Sequence, residues 1–134
     1  MTAVELLAAY KSRKLSPVEA IDAVISRIEG WEPKLKALYA PDFGSARKEA
    51  KASEQRWRQG QPRGVLDGVP ITIKENIATR GVPVPLGTAA TELVPAQADA
   101  PAAARYARRA PSFSAKRPCR TTACCHRAAA RSIR

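Results

Sequence analysis

The strongest constraint on what this chain can fold into is a change of composition at Arg105. Residues 1–105 carry 15 basic and 12 acidic side chains, net +3, whereas residues 106–134 carry 8 basic and no acidic ones, net +8. All three cysteines (Cys119, Cys124, Cys125) and the single histidine (His126) fall in the second stretch. Apolar residues recur periodically in the first stretch, as a core requires. The second has charge and proline but few large apolar side chains, too little to offset the entropy of ordering, and is expected to be disordered. The 134 residues therefore divide into 1–105, one small domain or part of one, and a basic tail, 106–134.

The overall charge of +11 would ordinarily point to a polyanionic partner. Because the excess sits in the tail, any nucleic-acid role falls to residues 106–134. There Arg108-Arg109, Lys116-Arg117 and Arg120 could meet phosphates in a salt-dependent way. Only Tyr106 and Phe113 are aromatic in that stretch, which is poor material for stacking bases. Nucleic acid is thus the secondary expectation. The Cys-x4-Cys-Cys-His spacing fits no common zinc site, and three cysteines do not make a disulfide framework, so neither metal nor cofactor is expected. No cationic segment precedes the apolar run at Ala3 to Ala9, and no stretch approaches the roughly 18 apolar residues of a membrane span. A cytoplasmic chain with no membrane partner is expected.

Two helix starts are written plainly. Thr2-Ala3-Val4-Glu5 is a capping box, predicting a helix to about Arg13. Ser16-Pro17-Val18-Glu19 repeats the device with proline at the first helical position, and Ile21, Val24, Ile25 and Ile28 form an apolar stripe ending at Gly30. Leu35 to Tyr39 is read as a short strand. From Ser45 to Gln59 an amphipathic helix places Ala46, Ala50, Ser53 and Trp57 on one face. Leu66 to Ile77 alternates like a strand, with Val69, Ile71 and Ile73 on one face and Thr72, Lys74 and Asn76 on the other. Gly81 to Thr88 is too rich in proline for a central strand and reads as an extended loop. Asp99 is expected to cap a helix beginning at Ala100-Pro101. The order is that of an α/β or α+β layer arrangement.

A lysine on a strand this apolar must be exposed at an edge, paired, or functional. The run Leu66-Asp67-Gly68-Val69-Pro70-Ile71-Thr72-Ile73-Lys74-Glu75-Asn76-Ile77 closely resembles the stretch around the catalytic lysine of the amidase signature family. The helix start at Ser16 to Ala20 and the loop from Gly81 to Thr88 also look like that family at matching places, so the resemblance covers most of residues 1–105. It implies an α/β fold of helices packed on part of a mixed sheet, here incomplete. It also implies a linear-amide hydrolase that uses a Ser, cis-Ser, Lys triad on a small-molecule amide substrate, without cofactor or metal. Lys74 is then the general base. Such a lysine must be neutral, which means a pKa brought down from about 10.4 by burial and neighbouring donors. The bridging serine and the nucleophile of the family lie well downstream of the lysine and are absent here. The chain alone is therefore expected to be inactive, and a separately made C-terminal amidase segment is a candidate partner.

A shifted reading frame accounts for the tail. If each codon takes the third base of one residue and the first two of the next, Tyr106 to Ala128 can encode LREAGAVILGKTTMPDYGMLSSG. That peptide would complete the helix begun at Asp99, stop it at a glycine and start a buried strand, and it resembles what the family shows there. A nucleotide lost around the Arg105 codon is the expectation.

Overall fold

The computed structural model describes residues 1–86, 92–109 and 114–117. In chain order these form α1 (Ala3–Lys11), α2 (Pro17–Leu35), α3 (Phe43–Arg58), β1 (Ile71–Lys74), α4 (Pro101–Arg109) and β2 (Ser114–Arg117). The architecture is α/β, with helices packed beside a parallel pair of strands.

Both capping boxes form. Thr2 and Ser16 accept from the backbone N–H of Glu5 and Glu19, whose carboxylates accept from the cap N–H groups in return. α1 ends at Lys11, two residues short of Arg13. The stripe of α2 does not stop at Gly30. The helix runs through Gly30 and Pro33 to Leu35 and is capped by Lys36 in the left-handed region, φ 45°. Nothing in the fold requires a positive φ at Gly30, so glycine there costs helix propensity without ending the helix. The expected strand at Leu35 to Tyr39 is consequently absent. Its first residue belongs to α2, and the Leu38 N–H is taken by the Glu32 carboxylate. α3 starts two residues earlier than expected, because the Asp42 side chain accepts the Ser45 N–H.

α2 and α3 pack through Ile21, Ile25, Ala46 and Ala50, with Val18, Ile28, Leu38 and Phe43 around them. The alanines of α3 let the helices approach closely, and each buried isoleucine contributes about 2 kcal/mol of transfer free energy. α1 joins through buried Tyr10, whose ring meets Trp57 of α3 at 6.0 Å and a 57° tilt.

The strand expected over Leu66 to Ile77 is shorter than its alternation. Before β1 the backbone turns, with Asp67 N–H donating to Gly64 and Val69 N–H to Leu66, and Gly68 at φ 84°. Pro70 has no N–H to give a ladder. After β1 the Ile77 N–H returns to the Lys74 carbonyl. Only Ile71–Lys74 remains free to pair, and it pairs in parallel with Ser114–Arg117 across α4.

Asp99 does not cap α4. Its carboxylate accepts the Arg80 N–H at 2.7 Å, and the first helical carbonyl is that of Ala100, which accepts from Ala104. The expected loop is pinned by bridges between Thr79 and Val82 and between Pro83 and Pro95. Gly87 and Thr88 lie outside the described residues. Of the tail, residues 106–109 continue α4 and 114–117 form β2, while the expected disorder of 118–134 falls outside the described residues, with Arg120, Cys119, Cys124, Cys125 and His126.

Candidate active site

Lys74 is the last residue of β1, and alternation along the strand sets its side chain opposite that of buried Ile73. It is half-buried. Lys74, Ile71, Thr72, Ile73 and Ile77 form one wall of a cavity of about 430 Å³, and Ala102, Ala103 and Tyr106 of α4 form the other. Lys74 enters no ion pair among the described residues. Glu75 is itself buried, 4% exposed, and its Oε1 has no hydrogen-bond partner among the described residues. The fold therefore brings the cation of the sequence motif, Lys74, to a mostly apolar hollow.

What fixes β1 in place is a buried polar knot just upstream. Asp67 is wholly buried and takes a two-pronged grip from Arg56 of α3, Nε to Oδ2 and Nη2 to Oδ1, both 2.7 Å. The Arg63 N–H adds a third bond at 2.8 Å. The Asp67 carbonyl accepts from the Trp57 indole at 3.1 Å, and the Gly68 carbonyl from the Tyr10 hydroxyl at 3.1 Å. Burial pushes the Asp67 carboxyl up, but Arg56, the Arg63 N–H and Ser53 outweigh it and hold the group below its ordinary value. Hydrogen bonding to Asp67 in turn raises Arg56. Burial alone pushes Tyr10 up to about 12.

The turn tolerates only glycine at 68. Its φ is 84°, and a Cβ there would lie 2.7 Å from the Ser53 hydroxyl and 3.0 Å from the Pro17 ring. Thus α1, α2 and α3 all press on the residues that launch β1, and the strand leaves the turn in one direction. Sequence reasoning singled out Lys74 but assigned no role to Arg56, Ser53 or Tyr10. Their signal is three-dimensional, since Arg56 and Asp67 are 11 residues apart and Tyr10 and Gly68 are 58 apart. Among the described residues no group of His, Cys, Asp and Glu could hold a metal ion.

Comparison with known proteins fits this geometry. A family model described as Amidase matches residues 19–117. A mitochondrial glutamyl-tRNA(Gln) amidotransferase subunit from Ixodes scapularis is 38% identical over 88 residues, which are 66% of this chain and 17% of the relative. The indoleacetamide hydrolase of Bradyrhizobium diazoefficiens is 37% identical over 100 residues, 75% of this chain and 19% of the relative. Among solved structures, an amidase superposes with a TM-score of 0.76 at 29% identity, over 88% of this chain and 27% of that one. A bacterial aryl acylamidase of the amidase signature family gives 0.73 at 28%, over 87% and 25%. The chain thus spans under a fifth of the length of these curated relatives. With β1, the turn that launches it and α3 all inside the matched residues 19–117, this chain belongs to the amidase family, the amidase signature enzymes.

Proposed function

We propose that this chain is the lysine-bearing part of an enzyme that hydrolyses linear carboxylic amides, with Lys74 as the general base of a Ser, cis-Ser, Lys triad. The observation that carries the reading is the placement of Lys74, half-buried and without an ion pair among the described residues, on the wall of a mostly apolar cavity beside a rigidly launched strand. A place on an apolar cavity wall is where a bridging hydroxyl would meet the lysine Nζ that serves as base. Neutral Nζ would accept a proton from a bridging serine, which accepts one from the nucleophilic serine. The serine oxygen then attacks the amide carbonyl, and the amine leaves with a proton returned along the same path. Backbone N–H groups would hold the oxyanion.

The two serines belong to downstream sequence, so the 134-residue chain is inactive by itself. The domain division at Arg105 is explained by a lost nucleotide. We expect a cytoplasmic setting; no helix among the described residues is long and apolar enough to cross a membrane. The names of the relatives, an indoleacetamide hydrolase and an aryl acylamidase, favour a small-molecule amide as substrate. The amidotransferase subunits among them favour a protein partner, for which a complementing C-terminal amidase segment is the simplest candidate.

The test is complementation. The chain as written should hydrolyse no amide, and mixing it with a downstream amidase segment made separately should give hydrolysis. Lys74→Ala should then lower kcat by about 10³-fold or more with little change in KM. Hydrolysis that survives Lys74→Ala removes Lys74 from the chemistry.

A further inference from the structure

α4 passes through the compositional break without interruption, from Pro101 to Arg109, and the family match continues past it to residue 117. Beyond it, Ser114–Arg117 lies parallel to β1, with Ser114 beside Ile71, Ala115 beside Thr72, Lys116 beside Ile73 and Arg117 beside Lys74. Backbone and sequence disagree at this point. Parallel strands are covered on both faces and read as apolar runs, whereas this one reads Ser-Ala-Lys-Arg.

We infer that the edge of β1 held by Ser114–Arg117 is built for another occupant: the apolar strand that the same DNA encodes one base over. The inference rests on the chain being a piece of an amidase. Serine codons of the TCN set and phenylalanine codons begin with T. One base over, that T becomes the middle base, and every codon with a middle T encodes Phe, Leu, Ile, Met or Val. Ser112-Phe113-Ser114 therefore becomes three successive apolar residues, and the decoded peptide makes them Val-Ile-Leu. At the observed register the changes are Ser114→Leu beside Ile71, Ala115→Gly beside Thr72 and Arg117→Thr beside Lys74, while Lys116 stays lysine. The shift also removes the charge excess. Tyr106 to Ala128 carries six basic and no acidic residues as written, and the decoded peptide has two of each.

Two measurements decide it. The first is the coding DNA from codon 105 to codon 128. TCN codons at Ser112 and Ser114 and a shifted frame open to codon 128 are expected; AGT or AGC at either serine, or a shifted stop codon, overturns the inference. The second compares the chain as written with one carrying the missing base after codon 105 and ending at residue 128. Amide hydrogen exchange at Ile71–Lys74 should slow about tenfold or more in the restored chain, and equal exchange in the two overturns it. Neither readout needs activity. The strand can therefore be protected with Lys74 idle, or unprotected with Lys74 catalytic, and the two readings fail separately.

Discussion

Asp67 gives up all contact with water and accepts three hydrogen bonds for doing so. Such a pair adds little compared with an apolar one of equal volume, but breaking it by removing one partner leaves a bare buried charge. Arg56→Ala should cost about 3–5 kcal/mol, read as the midpoint of urea unfolding, and the double change Arg56→Met, Asp67→Leu should recover much of it. A single change no worse than the double one would show that the knot is not held by charge. The same groups set the response to pH. Because Asp67 is held below its unfolded value, its stabilisation is present above about pH 4 and is lost as pH falls below that. Tyr10 works at the other end: held at about 12 against an unfolded value near 10, it stabilises fully below pH 10 and ceases to as pH rises from about 10 to 12. Melting temperature against pH should fall on both flanks, and Tyr10→Phe should flatten only the alkaline one. Lys74 could be singled out in the sequence because the motif that resembles the family's lies in its neighbouring residues, and the structure puts it on a cavity wall. Arg56 could not be singled out, since nothing near it distinguishes it from the other basic residues of a solvated helix.

Elements whose signals are local came through the sequence intact. Both capping boxes formed because four consecutive residues contain the whole interaction. Ser16→Ala should accordingly cost about 1 kcal/mol, seen in a melt, and Ser16→Asp should restore it; an unchanged melting temperature for the alanine variant would mean that Pro17 and packing alone fix the start of α2. Elements whose ends depend on distant groups were misplaced. Asp99 has the look of a cap, but the Arg80 N–H, 19 residues earlier, reaches its carboxylate. Gly30 has the look of a stop, but α2 goes on to Leu35. β1 is shorter than its alternation because the Gly68 turn and Pro70 consume residues that the pattern counts as strand.

At the scale of the whole molecule, the core between α2 and α3 is small, and Leu35, Val65, Leu86, Leu93 and Val94 are more than half exposed. Apolar surface left open to this extent among the described residues works against a firmly two-state chain. We expect a broad thermal transition and binding of an apolar dye, whereas a single steep transition with no dye binding would mean that residues 1–117 are self-sufficient. Family and architecture were legible at this scale, since the motif around Lys74 and the helix starts carry them. The parallel pairing beyond the compositional break was not, because its sequence lacks the apolar run that normally announces a buried strand.

That pairing joins segments about forty residues apart in the chain. On the ribosome, α1 to α3 can assemble as soon as residue 68 has emerged, whereas β1 waits, apolar and one edge short, for several seconds of further synthesis until β2 follows it out. The segment carrying the lysine is therefore the last to be sheltered and the first to meet a chaperone or a neighbouring nascent chain, so translation speed over codons 75 to 117 would govern how much of the product stays soluble.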